Sequence, residues 1–76
     1  ENFREKLKRA KSAKEFLNSD LNINRASQNL FIHRNTLIYR LNKIERLVGL
    51  DLRNFNDAVT FKLLCLLKNL EGEAHE

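Results

Sequence analysis

Leu37, Leu41, Ile44 and Val48 recur at spacings of four, three and four, and Gly49 follows the last of them. Apolar residues at that period line one face of a helix, and a glycine just past the final one supplies the left-handed residue with which helices commonly end. A helix over about Arg34 to Val48 is the tightest constraint on the fold. The rest of the chain agrees, because it holds no proline and only two glycines, Gly49 and Gly72, among abundant Leu, Lys, Glu, Asn and Arg. That usage disfavours turn-rich β architecture and leads to an all-α expectation. With 76 residues there is room for one core and hence one domain, residues 1–76. A chain this short buries only about 60% of the surface its unfolded form exposes, so its stability is modest.

The same period predicts three further helices. Phe3, Leu7, Ala10, Ala13, Phe16 and Leu17 share one face of a first helix, about Asn2 to Asn18. The stretch Asn18-Ser19-Asp20-Leu21-Asn22 then favours a turn, since short polar side chains compete with the helical backbone. Asn22 or Asn24 can cap a short second helix over Ile23 to Leu30 that turns Ile23, Ala26 and Leu30 inward. After the third helix, Asn54 or Asn56 can cap a fourth running from Asn56 to Leu70. In it Ala58, Val59, Phe61, Leu63, Leu64, Cys65, Leu66, Leu67 and Leu70 occupy most of the circumference. Such a helix is either central or shared with a partner. The polar tail, Glu71 to Glu76, is expected to fray.

Residues 23 to 42, INRASQNLFIHRNTLIYRLN, carry the spacing of a helix-turn-helix, in which a supporting helix, a tight turn and a second helix pack at a steep angle. Small Ser27 suits the crossing, Leu30 and Ile32 flank the turn facing inward, and Leu37 and Leu41 seat the second helix on the first. One position departs from the general pattern. Phe31 stands where the turn commonly has glycine, so the turn must either avoid positive φ or carry strain. With the apolar residues turned inward, the third helix presents His33, Arg34, Asn35, Thr36, Tyr39, Arg40 and Lys43. Arginine grips guanine bidentately, asparagine reads adenine, and threonine meets a base or a thymine methyl. Arg34 is the first choice for base readout, Asn35 and Thr36 suit bases or phosphates, and Tyr39, Arg40 and Lys43 suit phosphates. Asn24 and Arg25 add the start of the second helix, whose N–H groups can meet a phosphate. His33, at a helix start, can also cap or pack.

Net charge is +4 and unevenly spread: residues 1–24 hold six basic and four acidic groups, residues 25–53 six and two, and residues 54–76 two and four. A central basic segment fits a polyanionic partner, although a solvated basic surface produces the same sum. Other chemistry finds little support. His33 and His75 lack carboxylates at metal spacing, no glycine-rich phosphate loop or nucleophile–base pair occurs, and Asp51 and Asp57 suit a connection and a helix start better than a catalytic dyad. An enzyme and a cofactor are therefore not expected. The single Cys65 permits no internal disulfide and points to a reducing compartment, and no apolar run reaches the roughly 20 residues that span a bilayer. Starting at Glu1 without a secretory pattern, the sequence reads as a cytoplasmic fragment of something longer.

The stretch LFIHRNTLIYRLNKIERLVGLDL, residues 30–52, closely resembles the C-terminal helix-turn-helix of the PucR/CdaR family of bacterial regulators, named for purine catabolism and sugar diacids. The combination H-R-N-T-L, then Y-R-L, an apolar helix end, glycine and Asp-Leu carries the likeness. A looser similarity covers about residues 9 to 70, and Fis-type proteins are more distantly similar. The resemblance implies the output domain of a bacterial transcription factor whose sensory part lies upstream, binding double-stranded DNA, commonly as a homodimer, with His33, Arg34, Asn35, Thr36, Tyr39 and Arg40 at the DNA. Helix 1 has Ala10 and Ala13 where such domains usually carry larger apolar residues, and Asn56 stands near where a proline often opens the last helix. Two rival functions are a helical protein-interaction module that uses helix 4 with the basic surface, and a binder of structured RNA.

Overall fold

The computed structural model describes residues 2–74, with side chains as far as residue 68, and contains four helices in order: α1 (Phe3–Asn18), α2 (Ile23–Leu30), α3 (Arg34–Val48) and α4 (Phe55–Ala74). The all-α expectation holds. Each helix begins on a side chain that accepts a backbone N–H left over at the helix start. Asn2 accepts from Glu5, Asn22 from Arg25, His33 from Asn35 through Nδ1 and Asn54 from Asp57, all at 2.9–3.0 Å. Of the two cap candidates for each of α2 and α4 the first one acts, which starts α4 one residue earlier than expected. At its other end α4 continues past Leu70 to Ala74. Residues 71–74 are thus helical rather than frayed, while His75 and Glu76 lie outside the described residues.

The core forms where α1, α2 and α3 meet. Ala13, Phe16, Ala26, Leu37, Leu41, Ile44 and Leu52 are buried there, ringed by the half-buried Leu21, Ile23, Leu30, Ile32 and Phe61. Phe16, Leu37, Leu41 and Leu52 are wholly buried, and each contributes about 1.5–3 kcal/mol as an upper estimate. Ser27 is buried at the helix crossing, its hydroxyl donating to the Asn24 carbonyl at 3.0 Å. A polar tie joins α1 to α2: Ser19 Oγ and Asn29 Nδ2 both donate to Glu15 Oε2, at 2.8 and 3.2 Å. Those two donors, Ser19 first, hold the Glu15 carboxyl below its ordinary pKa.

Part of the apolar pattern does not reach this core. Phe3, Leu7 and Ala10, expected to face inward, are exposed, and so is Val48. The cause is reach: the core engages only the second half of α1, and the small side chains of Ala10 and Ala13 leave an open groove of about 210 Å³ bordered by Ile44, Leu47, Val48 and Phe61. Central placement of α4 is likewise overturned. It meets the core through Ala58, buried, and Phe61, half-buried, whereas Phe55, Val59, Leu63, Leu64, Leu66 and Leu67 are 41–71% exposed. Cys65 is exposed as well, although a thiol in so apolar a run ordinarily packs as a small buried hydrophobe. The α1–α4 contact is loose enough to leave an apolar groove of about 410 Å³ between Leu17 and Leu21 on one side and Phe55, Val59 and Leu63 on the other.

The turns explain the few unusual backbone angles. Ile32 N–H donates to the Ser27 carbonyl and Phe31 N–H to that of Gln28, at 3.0 and 3.1 Å, which is the Schellman arrangement that needs a left-handed residue at its apex. That residue is Phe31, at φ 58 and ψ 39. The turn therefore does not avoid positive φ, and a side chain there costs about 1–2 kcal/mol. The end of α1 repeats the design with Asp20 and Leu21 at φ 59 and 62. At the end of α3 the left-handed position, φ 77, falls to Gly49 as expected, its N–H donating to the Glu45 carbonyl at 2.8 Å.

The α3–α4 connection is fastened by one arginine. Arg53 Nε donates to Asp51 Oδ1 at 2.7 Å, and its Nη2 donates to Asn42 Oδ1 at 2.8 Å and reaches Glu45 Oε1 at 3.4 Å. Asp51 N–H in turn donates to Asp57 Oδ2 at 3.0 Å. The two aspartates thus anchor a connection and a helix start. The Arg53 hydrogen bond, ahead of a smaller opposing effect of burial, holds the Asp51 carboxyl below its ordinary pKa.

Candidate nucleic-acid interface

Seating α3 by Leu37, Leu41 and Ile44 fixes what its other sides show. At 100° per residue, Asn35, Tyr39, Asn42 and Arg46 fall opposite the buried stripe and form the outward face. Asn35, Tyr39 and Arg46 are exposed. Thr36, Arg40 and Lys43 form the flank on the α1 side and are half-buried. Arg34 opens the helix on the opposite flank, exposed. The helix-turn-helix packing thereby gathers Arg34, Asn35, Thr36, Tyr39, Arg40 and Lys43 along one element.

Their partners differ. Arg34, Lys43 and Arg46 make no hydrogen bond or ion pair among the described residues, whereas Arg25 lies 3.8 Å from Asp20 and Lys8 3.9 Å from Glu5. Three cations on α3 therefore stand unneutralised: Arg34 at the helix start, Lys43 beside a Tyr39 that is 62% exposed, and Arg46 further along. Arg40 Nη1 donates to Ser12 Oγ at 3.0 Å, and Ser12 Oγ donates to the Lys8 carbonyl at 2.8 Å. The arginine is thus held against α1 with most of its five donors unspent. Together with Tyr39 and Lys43 it lines a shallow notch of about 50 Å³ whose α1 wall is Glu5 and Arg9.

His33 accepts the Asn35 N–H on Nδ1, so its capping role is real and only its Nε2 edge remains available outward. Asn24 and Arg25 are exposed at the start of α2, apart from the α3 set. Two side chains of this surface were not among the sequence-based candidates. Arg46 lies seven residues after Tyr39, two turns along the same face, where the helical period puts it, although the candidates stop at Lys43. Ser12 could not be found that way, since its bond to Arg40 joins residues 28 apart. No group of three or more His, Cys, Asp or Glu side chains that could hold a metal occurs among the described residues. Nor is any helix among them long and apolar enough to cross a membrane.

Residues 10–67 match the family model of the PucR C-terminal helix-turn-helix domain. Over 31 residues the chain is 71% identical to the carbohydrate diacid regulator of Escherichia coli (strain K12), covering 41% of this chain and 8% of that protein. It is 41% identical over 56 residues to the DNA-binding transcriptional activator AdeR of Bacillus subtilis (strain 168), covering 74% and 13%. The purine catabolism regulatory protein of the same organism is 33% identical over 55 residues, covering 72% and 10%. The chain thus spans about a tenth of the length of these relatives. No solved structure matches it at the level of significance of these relatives. Fold, sequence pattern and relatives agree, and the chain belongs to the PucR C-terminal helix-turn-helix family.

Proposed function

We propose that this chain is the DNA-binding output domain of a bacterial transcriptional regulator, working in the cytoplasm, and that α3 reads duplex DNA in the major groove. The observation that carries the reading is the set of unneutralised cations on α3, Arg34 at its start and Lys43 and Arg46 further along, with Asn35 and Tyr39 exposed between them on the second helix of a helix-turn-helix. Base readout falls to Arg34, Asn35 and Thr36 in the first turn of α3. Tyr39, Arg40, Lys43 and Arg46 hold phosphates, as do Asn24 and Arg25 at the start of α2. His33 caps the reading helix and can offer its free ring nitrogen. In this reading the chain forms the C-terminal part of a larger regulator, and no cofactor or catalysis is invoked.

One such domain meets one half-site. Two copies set about 34–36 Å apart across a dyad supply specificity, and the exposed leucines of α4 suit self-association between them. The test is affinity for labelled duplex DNA at two salt concentrations. Arg34→Ala is expected to cost about 1–3 kcal/mol on selected sites and to relax base preference, while Lys43→Ala weakens all sequences alike and flattens the salt dependence. Equal losses on selected and random DNA for both variants would sink this division of labour.

The exposed α4 face also favours a second reading, a helical module that docks a protein partner. Failure of the chain to bind duplex DNA at low salt would select that reading, and preference for RNA in the same titration would select a structured-RNA binder.

A further inference from the structure

Among the described residues two bulky apolar ones adopt the left-handed conformation, and the fold compensates only one of them. Leu21, at φ 62, packs against the core. Phe31, at φ 58, is 95% exposed, so its ring gains no packing in return for the strained backbone. The turn requires a left-handed residue, but glycine or asparagine would satisfy it more cheaply. Folding therefore does not account for a phenylalanine here.

Its position supplies an account. Phe31 closes α2, two residues before His33 and three before Arg34. The residues exposed on either side of it, Gln28, Asn29, His33, Arg34 and Asn35, are all polar or basic. The ring is thus flanked in sequence by exposed polar and basic side chains at the start of the reading helix, unlike the clustered leucines of α4, which suit a protein partner. We infer that Phe31 is a DNA-contacting residue, its ring packing against apolar surface of the duplex, a thymine methyl or a deoxyribose face, where α3 enters the groove. Phenylalanine meets thymine methyls in this way, and strained residues concentrate where a ligand is gripped. The inference rests on the DNA-binding reading above and adds a contact to it.

The test compares the chain with its Phe31→Asn and Phe31→Gly variants, both compatible with positive φ. The probes are duplexes that the unaltered chain selects from a randomised pool, the same duplexes with deoxyuridine in place of thymine, and random-sequence duplex. Both variants are expected to melt at or above the temperature of the unaltered chain and to bind the selected duplexes about fourfold or more weakly, the change for one methylene-sized apolar contact. A deficit that vanishes on the deoxyuridine duplexes identifies the methyl; a deficit equal on selected and random DNA identifies the sugar.

Unchanged affinity in both variants overturns the inference. So does a loss in the glycine variant alone, which would report a loosened turn, or a fall in melting temperature, which would mean that the ring packs in the folded chain. Loss of self-association with DNA affinity intact overturns it in favour of a protein contact. If Arg34→Ala weakens binding while the Phe31 variants do not, this inference alone fails; if the unaltered chain binds no duplex, the DNA-binding reading fails with it.

Discussion

The first three helices and the fourth are both rich in apolar residues, yet they use them in opposite ways. In α3 the apolar stripe is narrow, and three of its four members, Leu37, Leu41 and Ile44, are buried. In α4 the apolar residues surround the helix, and only Ala58 is buried among those described, with Phe61 half-covered beside it. A stripe no wider than its neighbour can cover produces a core; a wider one leaves a surface that folding does not use. Burial thus follows the width of the apolar face and not its hydrophobicity, and the spare surface is available for association.

That contrast can be broken by mutation. The largest effect is expected for Leu41→Ala, which empties a fully buried site and should destabilise the chain by about 2–5 kcal/mol in denaturant unfolding, enough to unfold much of so small a domain. A loss below about 1 kcal/mol would mean that the three-helix core is looser than its burial implies.

An intermediate effect is expected for Arg53→Ala, which removes the fastening between α3 and α4. The cost should be about 1–2 kcal/mol, since its acceptors are partly solvated and can turn to water. The pH dependence carries a sign. Because the folded-state pKa of Asp51 is lowered, its contribution is present above the ordinary carboxylate range and is lost as pH falls through the lowered value. Removing Arg53 should flatten that acid limb, and an unchanged limb would assign it to other carboxylates, Glu15 first.

The smallest effect on folding is expected for Leu64→Ala. Its side chain is 55% exposed, so unfolding of the dilute chain should shift by no more than about 0.5 kcal/mol. Sedimentation of concentrated chain should nonetheless show weaker self-association. A stability loss approaching that of Leu41→Ala would place Leu64 under cover in solution and erase the distinction between the two regions.

The sequence revealed what local chemistry controls. The bounds of α2 and α3 follow from Asn22, His33 and Gly49, each a cap at its own helix end, and the buried stripe of α3 follows from its period. The exposure of Leu7, Ala10 and Val48 was hidden because it depends on where neighbouring helices stop, which no single helix records. The candidate interface divides similarly. Exposure of Asn35 and Tyr39 was readable from the stripe opposite them. The Ser12–Arg40 and Asn42–Arg53 bonds were not, since they join residues on separate elements whose spacing is set by packing. Phe31 lay between these cases: the sequence marked a conflict, and only the backbone showed that the turn resolves it by accepting strain.

The Ser12–Arg40 hydrogen bond makes α1 more than a buttress. A helix advances about 100° per residue, so a twist of α1 by a single position would carry the serine hydroxyl away from the guanidinium and free Arg40 to swing. A torque applied to the first helix would thereby reach the aim of an arginine on the third through one hydroxyl.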